Sequence, residues 1–138
     1  MEIRLMKKND FKGVYVMWKQ AKLCLASYDQ ERKEFEHMLT INPSSCFVAI
    51  DKNQIVGSIF GAYNGRRAFI YHLAVHPLWQ HKGLGRLLLK KTEEALKKRG
   101  LSRVRLRVDL DNLEVVPFYE KCGYSAYEPC TVFMGKDL

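Results

Sequence analysis

Apolar residues recur every three to four positions in the first third of the chain, which predicts two helices. The first is predicted over Asn9–Ser27, where the apolar side chains between Phe11 and Leu25 form one stripe. A second, shorter helix is predicted over Gln30–Leu39, because Asn-Pro follows it and stops helical structure.

Three strands are predicted next, joined by tight turns. The strings SCFVAID and QIVGSIFGAY are separated by Lys52-Asn53, and the second and third strands by Asn64-Gly65, a pair typical of hairpins. The third strand, about Arg67–Val75, is nearly continuous in apolar residues. These signals predict an antiparallel meander.

The remaining pattern alternates between helices and strands. A helix over Leu84–Arg99 leads to a strand in RVRLRVD, then to a short helix and two strands, at Asn112–Lys121, Tyr124–Tyr127 and Thr131–Met134. A strand, a helix and a strand within about 40 residues form a crossover, so the third and fourth strands should be parallel. The predicted class is mixed α/β, with a mixed, mostly antiparallel sheet flanked by helices, in a single domain over residues 1–138.

The composition is that of a soluble globular protein, and it adds a strong positive charge. No apolar stretch approaches the roughly 20 residues that span a bilayer, and the N-terminus lacks a signal-peptide pattern. We therefore expect a cytoplasmic protein without a membrane partner.

The net charge of +8 favours an anionic partner, either nucleic acid, acidic lipid or a polyphosphate cofactor. Glutamates interleave the lysines of KKTEEALKKRG, which is typical of a solvated helix face, so no nucleic-acid partner is predicted.

The cysteines give no metal-binding pattern. None forms a C-x-x-C pair, and no histidine lies at zinc-site spacing from any of them. We expect no metal and free thiols, with a disulfide left open, at Cys24, Cys46, Cys122 and Cys130.

The segment QHKGLG lies between the third strand and the following helix. The first amides of a helix are unpaired and carry its positive dipole end, and glycines let an anion approach the backbone. Lys82 and Arg86 add positive charge. The segment fits neither the P-loop nor the dinucleotide-binding fingerprint, because Leu88 stands where the third glycine is needed. It predicts a different kind of anion site.

The longer string LAVHPLWQHKGLGRLLL resembles the acetyl-CoA-binding motif of the GNAT superfamily of N-acetyltransferases. The string DNLEVVPFYEKCGY resembles a second signature of that family, with Val115 where alanine is usual, and the resemblance is strong from about Ser45 to Gly123. It implies the GNAT fold, in which two parallel strands splay apart. It also implies transfer of an acetyl group from acetyl-CoA to a primary amine by direct attack in a ternary complex.

The resemblance also implies the cofactor-binding residues. Backbone groups of Leu73, Ala74 and Val75 would pair with the pantetheine arm, and an amide near Val75 would stabilise the oxyanion. Asn112 would lie near the cofactor, although a helix cap explains an asparagine there equally well. The pyrophosphate would bind the loop formed by Gln80, His81, Lys82, Gly83, Leu84, Gly85 and Arg86.

The resemblance implies a general acid, and the residues themselves offer candidates for a general base. Tyr119 matches the family's general acid, which protonates the departing thiolate, although a buried tyrosine with no catalytic role is the alternative. The carboxylate that many family members place before the L-x-V segment is absent, and Tyr71 and His72 stand there. A histidine side chain can accept a proton near neutral pH, so His72 is one candidate base, although a strand histidine is more often simply packed and hydrogen-bonded. Glu31 and a water chain are the other candidates.

Several features of the function stay open at this point. The acceptor is a small-molecule or protein amine, and the positive charge slightly favours a neutral or anionic one. The missing carboxylate leaves a non-catalytic acyl-CoA-binding regulatory module as the alternative. The sequence does not determine the oligomeric state, a homodimer included, or whether other acyl groups are used.

Overall fold

The described part of the chain, residues 1–126, 132 and 134–138 of a computed structural model, forms two compact units. The first, Met1–Arg107, contains a sheet and three α-helices, and the second, Val108–Leu138, contains one short α-helix. None of the helices among these residues is long and apolar enough to cross a membrane.

The sheet of the first unit has four antiparallel strands in sequential order. The predicted meander is confirmed within about one residue. The additional strand, β1, was not predicted, because four residues are too few for an alternating pattern to stand out. It pairs with β2 in a register that places Ile3 opposite Ala49. The strands are β1 (Glu2–Leu5), β2 (Cys46–Asp51), β3 (Gln54–Tyr63) and β4 (Ala68–Val75).

The helices of the first unit are α1 (Phe11–Gln20), α2 (Tyr28–Ile41) and α3 (Leu84–Lys98). The prediction that the first helix continues to residue 27 was wrong. The backbone leaves the helix just after α1, where Lys22 adopts a φ of 60°. Ser27 instead caps α2, since its hydroxyl accepts a hydrogen bond of 3.2 Å from the amide of Gln30.

The predicted crossover is parallel, but its second strand is far shorter than expected. Arg105 forms a parallel bridge with Phe69, through hydrogen bonds from the Ile70 amide (2.8 Å) and to the Ala68 carbonyl (3.0 Å). The prediction of a strand along all of RVRLRVD was therefore wrong. A bulge in β4 begins two residues beyond Ile70, and bulges bend a strand away from its partner.

The second unit contains α4 (Val116–Lys121), preceded by a 3-10 segment over Leu110–Val115. The prediction that Asn112 caps this helix was wrong, because Asn112 lies inside the 3-10 segment with a φ of −130°. Pro117 stands in the first turn of α4, where its missing amide costs no hydrogen bond. Of the two predicted terminal strands, about 124–127 and 131–134, residues 127, 131 and 133 lie outside the described residues, and residues 124–126 do not form a strand.

The helices contact the two faces of the sheet through alternate residues of β3. Ser58 and Phe60 contact Trp18 of α1, whereas Gly61 faces α3. A Cβ atom on Gly61 would lie 2.5 Å from the Thr92 methyl and 2.6 Å from the Ser45 carbonyl oxygen. Glycine at this position is therefore what lets α3 lie directly on β3.

Three of the cysteines are described, and all three are free thiols. Cys24 is exposed, Cys122 is half-buried and Cys46 is fully buried in the core, while Cys130 lies outside the described residues. Burial raises the pKa of the Cys46 thiol to about 12. This thiol stays protonated at neutral pH and acts as a small apolar core residue.

A partly buried ion pair joins β1 to the start of α1. The Asp10 carboxylate accepts two hydrogen bonds of 2.8 Å from the Arg4 guanidinium and one of 2.7 Å from the Lys7 amide. Burial alone would raise the pKa of the Asp10 carboxyl, but these three hydrogen bonds outweigh it and the pKa is lowered. The folded state therefore stabilises the ionised form.

We expect Asp10→Asn to lower the free energy of unfolding by about 2 kcal/mol at pH 7, because it leaves Arg4 without its partner. A lowered pKa stabilises the fold above the ordinary carboxyl pKa of about 3.9, and this contribution is lost as the pH falls through the folded pKa. The difference between wild type and variant, measured by urea denaturation, should shrink between pH 7 and pH 3. Asp29→Asn is the control, because its exposed carboxylate lies 3.5 Å from Arg32 and should contribute well under about 1 kcal/mol. A difference that stays constant with pH would contradict this account.

Candidate functional site

The loop between β4 and α3 is held in place by side chains on both sides of a short 3-10 turn, Pro77–Trp79. The buried His76 accepts a hydrogen bond of 3.1 Å at Nδ1 from the Leu78 amide. The Trp79 indole donates to Asp51 at 3.2 Å, and the Gln80 side-chain amide donates to the Val75 carbonyl at 2.9 Å. These contacts fix where the glycine-rich segment begins.

Helix α3 begins directly after Gly83, which adopts a left-handed conformation with φ 85° and ψ 2°. A side chain at this φ would be strained, so glycine suits the position. The first helical hydrogen bond runs from the Leu87 amide to the Gly83 carbonyl at 3.1 Å. The amides of Leu84, Gly85 and Arg86 therefore precede the hydrogen-bonded turns, and no side chain caps them.

The surroundings of this helix N-terminus are open and positively charged. His81, Lys82, Gly83 and Arg86 are exposed, and among the described residues beyond its two chain neighbours no atom lies within 4 Å of where a Gly83 Cβ would be. From residue 80 to residue 91 the sequence has four Lys or Arg residues and no Asp or Glu. Amides without a helical partner, a positive dipole end and exposed cations together fit a phosphate group.

The C-terminal half of β4 presents backbone groups along an edge of the sheet. The His76 amide donates to the Val56 carbonyl at 2.8 Å and so points toward β3. Successive residues alternate, so the Val75 amide points away from β3. Within the described residues of the first unit, the pairing on that side is with Arg105 and ends at Ile70. Leu73 and Val75 are half-buried and Ala74 is buried along this edge.

A bulge in β4 sets the position of His72. Phe60 pairs with Tyr71 and Ser58 with Ala74, so the two residues 72 and 73 lie opposite the single residue Ile59. His72 adopts a φ of 49°, which is uncommon for a residue with a side chain and is typical of bulges and functional sites. The bulge turns the imidazole of His72 toward α1 and α2.

His72 lies beside the other candidate base. Its Nε2 atom is 3.4 Å from Oε1 of Glu31, a buried carboxylate whose other oxygen accepts a hydrogen bond of 3.0 Å from the Ala26 amide. The ring centroids of Trp18 and Phe60 lie 4.7 and 5.7 Å from the centroid of the imidazole. The structure thus brings together two residues that the sequence offered as alternatives.

Sequence analysis missed two residues that hold this arrangement. The Trp18 indole donates a hydrogen bond of 2.8 Å to the Ser58 hydroxyl, which in turn donates to the His72 carbonyl at 3.3 Å. These two hydrogen bonds link α1 to the bulge in β4. A polar serine inside an otherwise apolar strand was the one sequence signal for it.

A cavity of about 410 Å³ opens between α2 and β4, next to His72 and Glu31. Six aromatic side chains line it, and two of them, Tyr71 and Phe69, stack along β4 with ring centroids 5.9 Å apart. A cavity of this size accommodates a small organic molecule.

Two predicted site residues, Asn112 and Tyr119, belong to the second unit. Tyr119 is half-buried in α4, with its ring 5.1 Å from Phe118 and 5.9 Å from Tyr124. Burial raises the pKa of the Tyr119 phenol above its usual range, and the nearby Cys122 sulfur adds to the rise. The phenol is therefore protonated at neutral pH and can act as a proton donor.

Comparison with known proteins identifies relatives over the whole chain. A model of the acetyltransferase (GNAT) family matches residues 13–124. An acetyltransferase of Pectobacterium atrosepticum is 34% identical over 138 residues, which cover 100% of this chain and 96% of the relative. An acetyltransferase of Yersinia pestis is 33% identical over the same span.

Solved structures show the same fold. An aminoglycoside 6'-N-acetyltransferase from Acinetobacter haemolyticus superposes with a TM-score of 0.82, at 18% identity, over 99% of both chains. The ribosomal-protein-S18-alanine N-acetyltransferase from Escherichia coli gives a TM-score of 0.77 at 23% identity, over 92% of this chain and 79% of that one. At these identities the likeness establishes the fold alone.

Proposed function

Because the chain belongs to the GNAT family of acetyltransferases, we propose that it transfers the acetyl group of acetyl-CoA to a primary amine, by direct attack of the amine in a ternary complex. The observation that carries the proposal is the open N-terminus of α3 after Gly83, with its uncapped amides and exposed cations. The relatives of this chain are named acetyltransferases, which favours an enzyme over a non-catalytic acyl-CoA-binding module.

The loop residues 80–86 bind the pyrophosphate in this proposal. The amides of Leu84, Gly85 and Arg86 are the donors, because they precede the first hydrogen-bonded turn of α3. The exposed side chains of Lys82 and Arg86 add charge, and His81 lies at the surface beside them. Gln80 contributes through its bond to the Val75 carbonyl, which fixes the loop against β4.

The edge of β4 binds the remainder of the donor. The outward amide of Val75 is available to the pantetheine arm or to the oxyanion that forms when the amine attacks. Leu73 and Ala74 complete this edge. Bound acetyl-CoA supplies the thioester whose carbonyl carbon accepts the amine.

His72 is the proposed general base. It removes a proton from the acceptor amine, and the Glu31 carboxylate 3.4 Å away is the partner for the imidazolium that forms. Tyr119 is the proposed general acid, which protonates the departing thiolate, since its raised pKa keeps the phenol protonated. Asn112 is placed near the cofactor by the family signature and has no catalytic role in this proposal.

We expect acetyl-CoA to stabilise the protein by about 2.7 kcal/mol when its concentration is 100 times its dissociation constant. Arg86→Glu should weaken that binding about tenfold or more, because it removes one charged contact and adds repulsion. An acidic residue in the first turn suits the helix dipole, so the variant should fold at least as well as wild type. Thermal denaturation with and without acetyl-CoA measures both effects.

Lys98→Glu is the matched control, because it makes the same charge change about 18 Å further along α3. It should leave the response to acetyl-CoA nearly unchanged. Equal losses in both variants would mean that the protein's overall charge, rather than this loop, attracts the cofactor. No stabilisation by acetyl-CoA at millimolar concentration would refute the proposed function.

A further inference from the structure

The cavity beside His72 has an uneven distribution of polar and apolar groups. Its wall contains six aromatic rings from α1, α2, β3 and β4, so most of a bound molecule would contact apolar surface. Several of these rings are in edge contact with one another, for example Trp18 with Phe60 at 5.8 Å and Phe35 with Phe60 at 5.9 Å. The aromatic residues are Trp18, Phe35, Phe60, Tyr63, Phe69 and Tyr71.

Two asparagines also line the cavity, but their oxygens are already engaged. The Asn42 side-chain oxygen accepts hydrogen bonds of 2.8 Å from the Arg99 guanidinium and from the Tyr63 amide. The Asn64 side-chain oxygen accepts from the amides of Arg66 and Arg67, at 2.9 and 2.8 Å. The side-chain oxygens of these two asparagines are therefore not available to a ligand's cation.

Glu31 is the one buried carboxylate among the described residues that line the cavity. Its side chain is 8% exposed, and it accepts a hydrogen bond from the Ala26 amide and lies next to His72. Glu34, the other carboxylate of the wall, is exposed and accepts a hydrogen bond of 3.0 Å from the Gln30 side chain. The cationic Arg67, which is exposed, also lines the cavity and opposes further positive charge there.

We infer that the acceptor is a small monoamine, in which a single ammonium group is attached to an aromatic or aliphatic body. This inference rests on the proposed function and names the substrate class of that site. The ammonium binds Glu31, beside the base His72, where the aromatic wall of the cavity begins. A ring face there can add a cation–π contact. The body fills the aromatic part of the cavity. Polyamines and aminoglycosides are disfavoured, because their additional ammonium groups would be desolvated against aromatic rings without a second buried carboxylate.

The first test compares ligands on the wild-type protein by titration calorimetry in the presence of coenzyme A. 2-Phenylethylamine should bind at least about tenfold more tightly than spermidine and than its neutral analogue 2-phenylethanol, which lacks the charged contact. Tighter binding of spermidine or of an aminoglycoside would overturn the inference. So would acetylation of peptide N-termini with no binding of 2-phenylethylamine.

The second test removes the carboxylate. Glu31→Gln should weaken 2-phenylethylamine about tenfold or more and leave 2-phenylethanol within about threefold, because the alcohol makes no charged contact. Glu36→Gln is the control on the same helix; its carboxylate lies 3.4 Å from Arg32 and is not part of the cavity wall. Equal losses for the amine and the alcohol would mean that Glu31 is structural, which contradicts the inference. If Glu31→Gln does not fold, the wild-type comparison still decides.

These tests separate the inference from the proposed function. Binding of acetyl-CoA with preferred transfer to spermidine would overturn the inference and leave the acetyltransferase intact. Selective binding of 2-phenylethylamine without any binding of acetyl-CoA would support the amine site and remove the transfer reaction.

Discussion

Tyr119→Phe is expected to lower kcat about 100-fold or more while leaving the KM for acetyl-CoA nearly unchanged. General acids typically contribute factors of this size, and the substitution removes a single oxygen from the chain. A thiolate leaving group with a pKa of roughly 8–9 is easier to expel when a neighbouring phenol protonates it. A phenol is protonated at neutral pH, and burial raises the pKa of Tyr119 further.

The pH profile distinguishes this role from a structural one. A general acid works below its pKa, so wild-type kcat should fall at a pH above the ordinary tyrosine value of about 10, where the fold permits measurement. The pH profile of Tyr119→Phe should not show this fall of kcat at high pH. Undiminished turnover, or a variant whose loss follows a lower melting temperature, would remove Tyr119 from the mechanism.

His72→Asn is expected to lower kcat/KM for the amine about 100-fold or more, because an amide cannot accept the proton. Asparagine is chosen because it tolerates the left-handed conformation that residue 72 adopts, with a φ of 49°. The bulge and the contact with Ser58 through the backbone carbonyl should therefore persist. Steady-state kinetics with a varied concentration of the amine and saturating acetyl-CoA measure the loss.

His72→Gly supplies the control, since glycine also accepts this φ and leaves space where the imidazole was. Added imidazole should restore part of the activity of His72→Gly. It should not increase the activity of the control variant His37→Gly, which removes an exposed histidine. A residue with a purely structural role would show no such rescue. Full activity in His72→Asn would instead point to Glu31 or a water chain as the base.

Local signals predicted the elements that carry the candidate anion site. The turn pairs Lys52-Asn53 and Asn64-Gly65 fixed the ends of β3 and the start of β4 to within about one residue. The helical period and the glycine before it placed the start of α3 at Leu84, where the structure has it. Each of these signals lies within a few residues of the feature that it predicts.

Other elements depend on contacts that a local pattern does not contain. The apolar residues after Gln20 continue the helical period, so the sequence did not reveal that the backbone turns at Lys22. The strand at Arg105 has the alternation of a full strand, yet its pairing ends where β4 bulges. The bulge itself has no short sequence signature, because it is stabilised from α1 through Trp18 and Ser58.

The candidate site also combines one feature with a local sequence signal and others that depend on contacts between distant residues. The proposed pyrophosphate-binding loop was predicted as one continuous segment, because glycines let an anion approach the backbone. Glu31 and His72 were predicted as competing bases, and their proximity at 3.4 Å depends on how α2 packs against β4. The aromatic cavity beside them draws on four separate elements, so the sequence alone gave no indication of its shape.

The central claim is that the backbone amides at the start of α3 hold the pyrophosphate of acetyl-CoA, and backbone amides are observed directly by NMR. In a titration of isotope-labelled protein with acetyl-CoA, the account predicts large, saturating shifts of the Leu84, Gly85 and Arg86 amide signals. S-acetyl-pantetheine, which lacks the pyrophosphate, should leave these three signals in place. Saturable binding of acetyl-CoA with these amides unmoved would contradict the account.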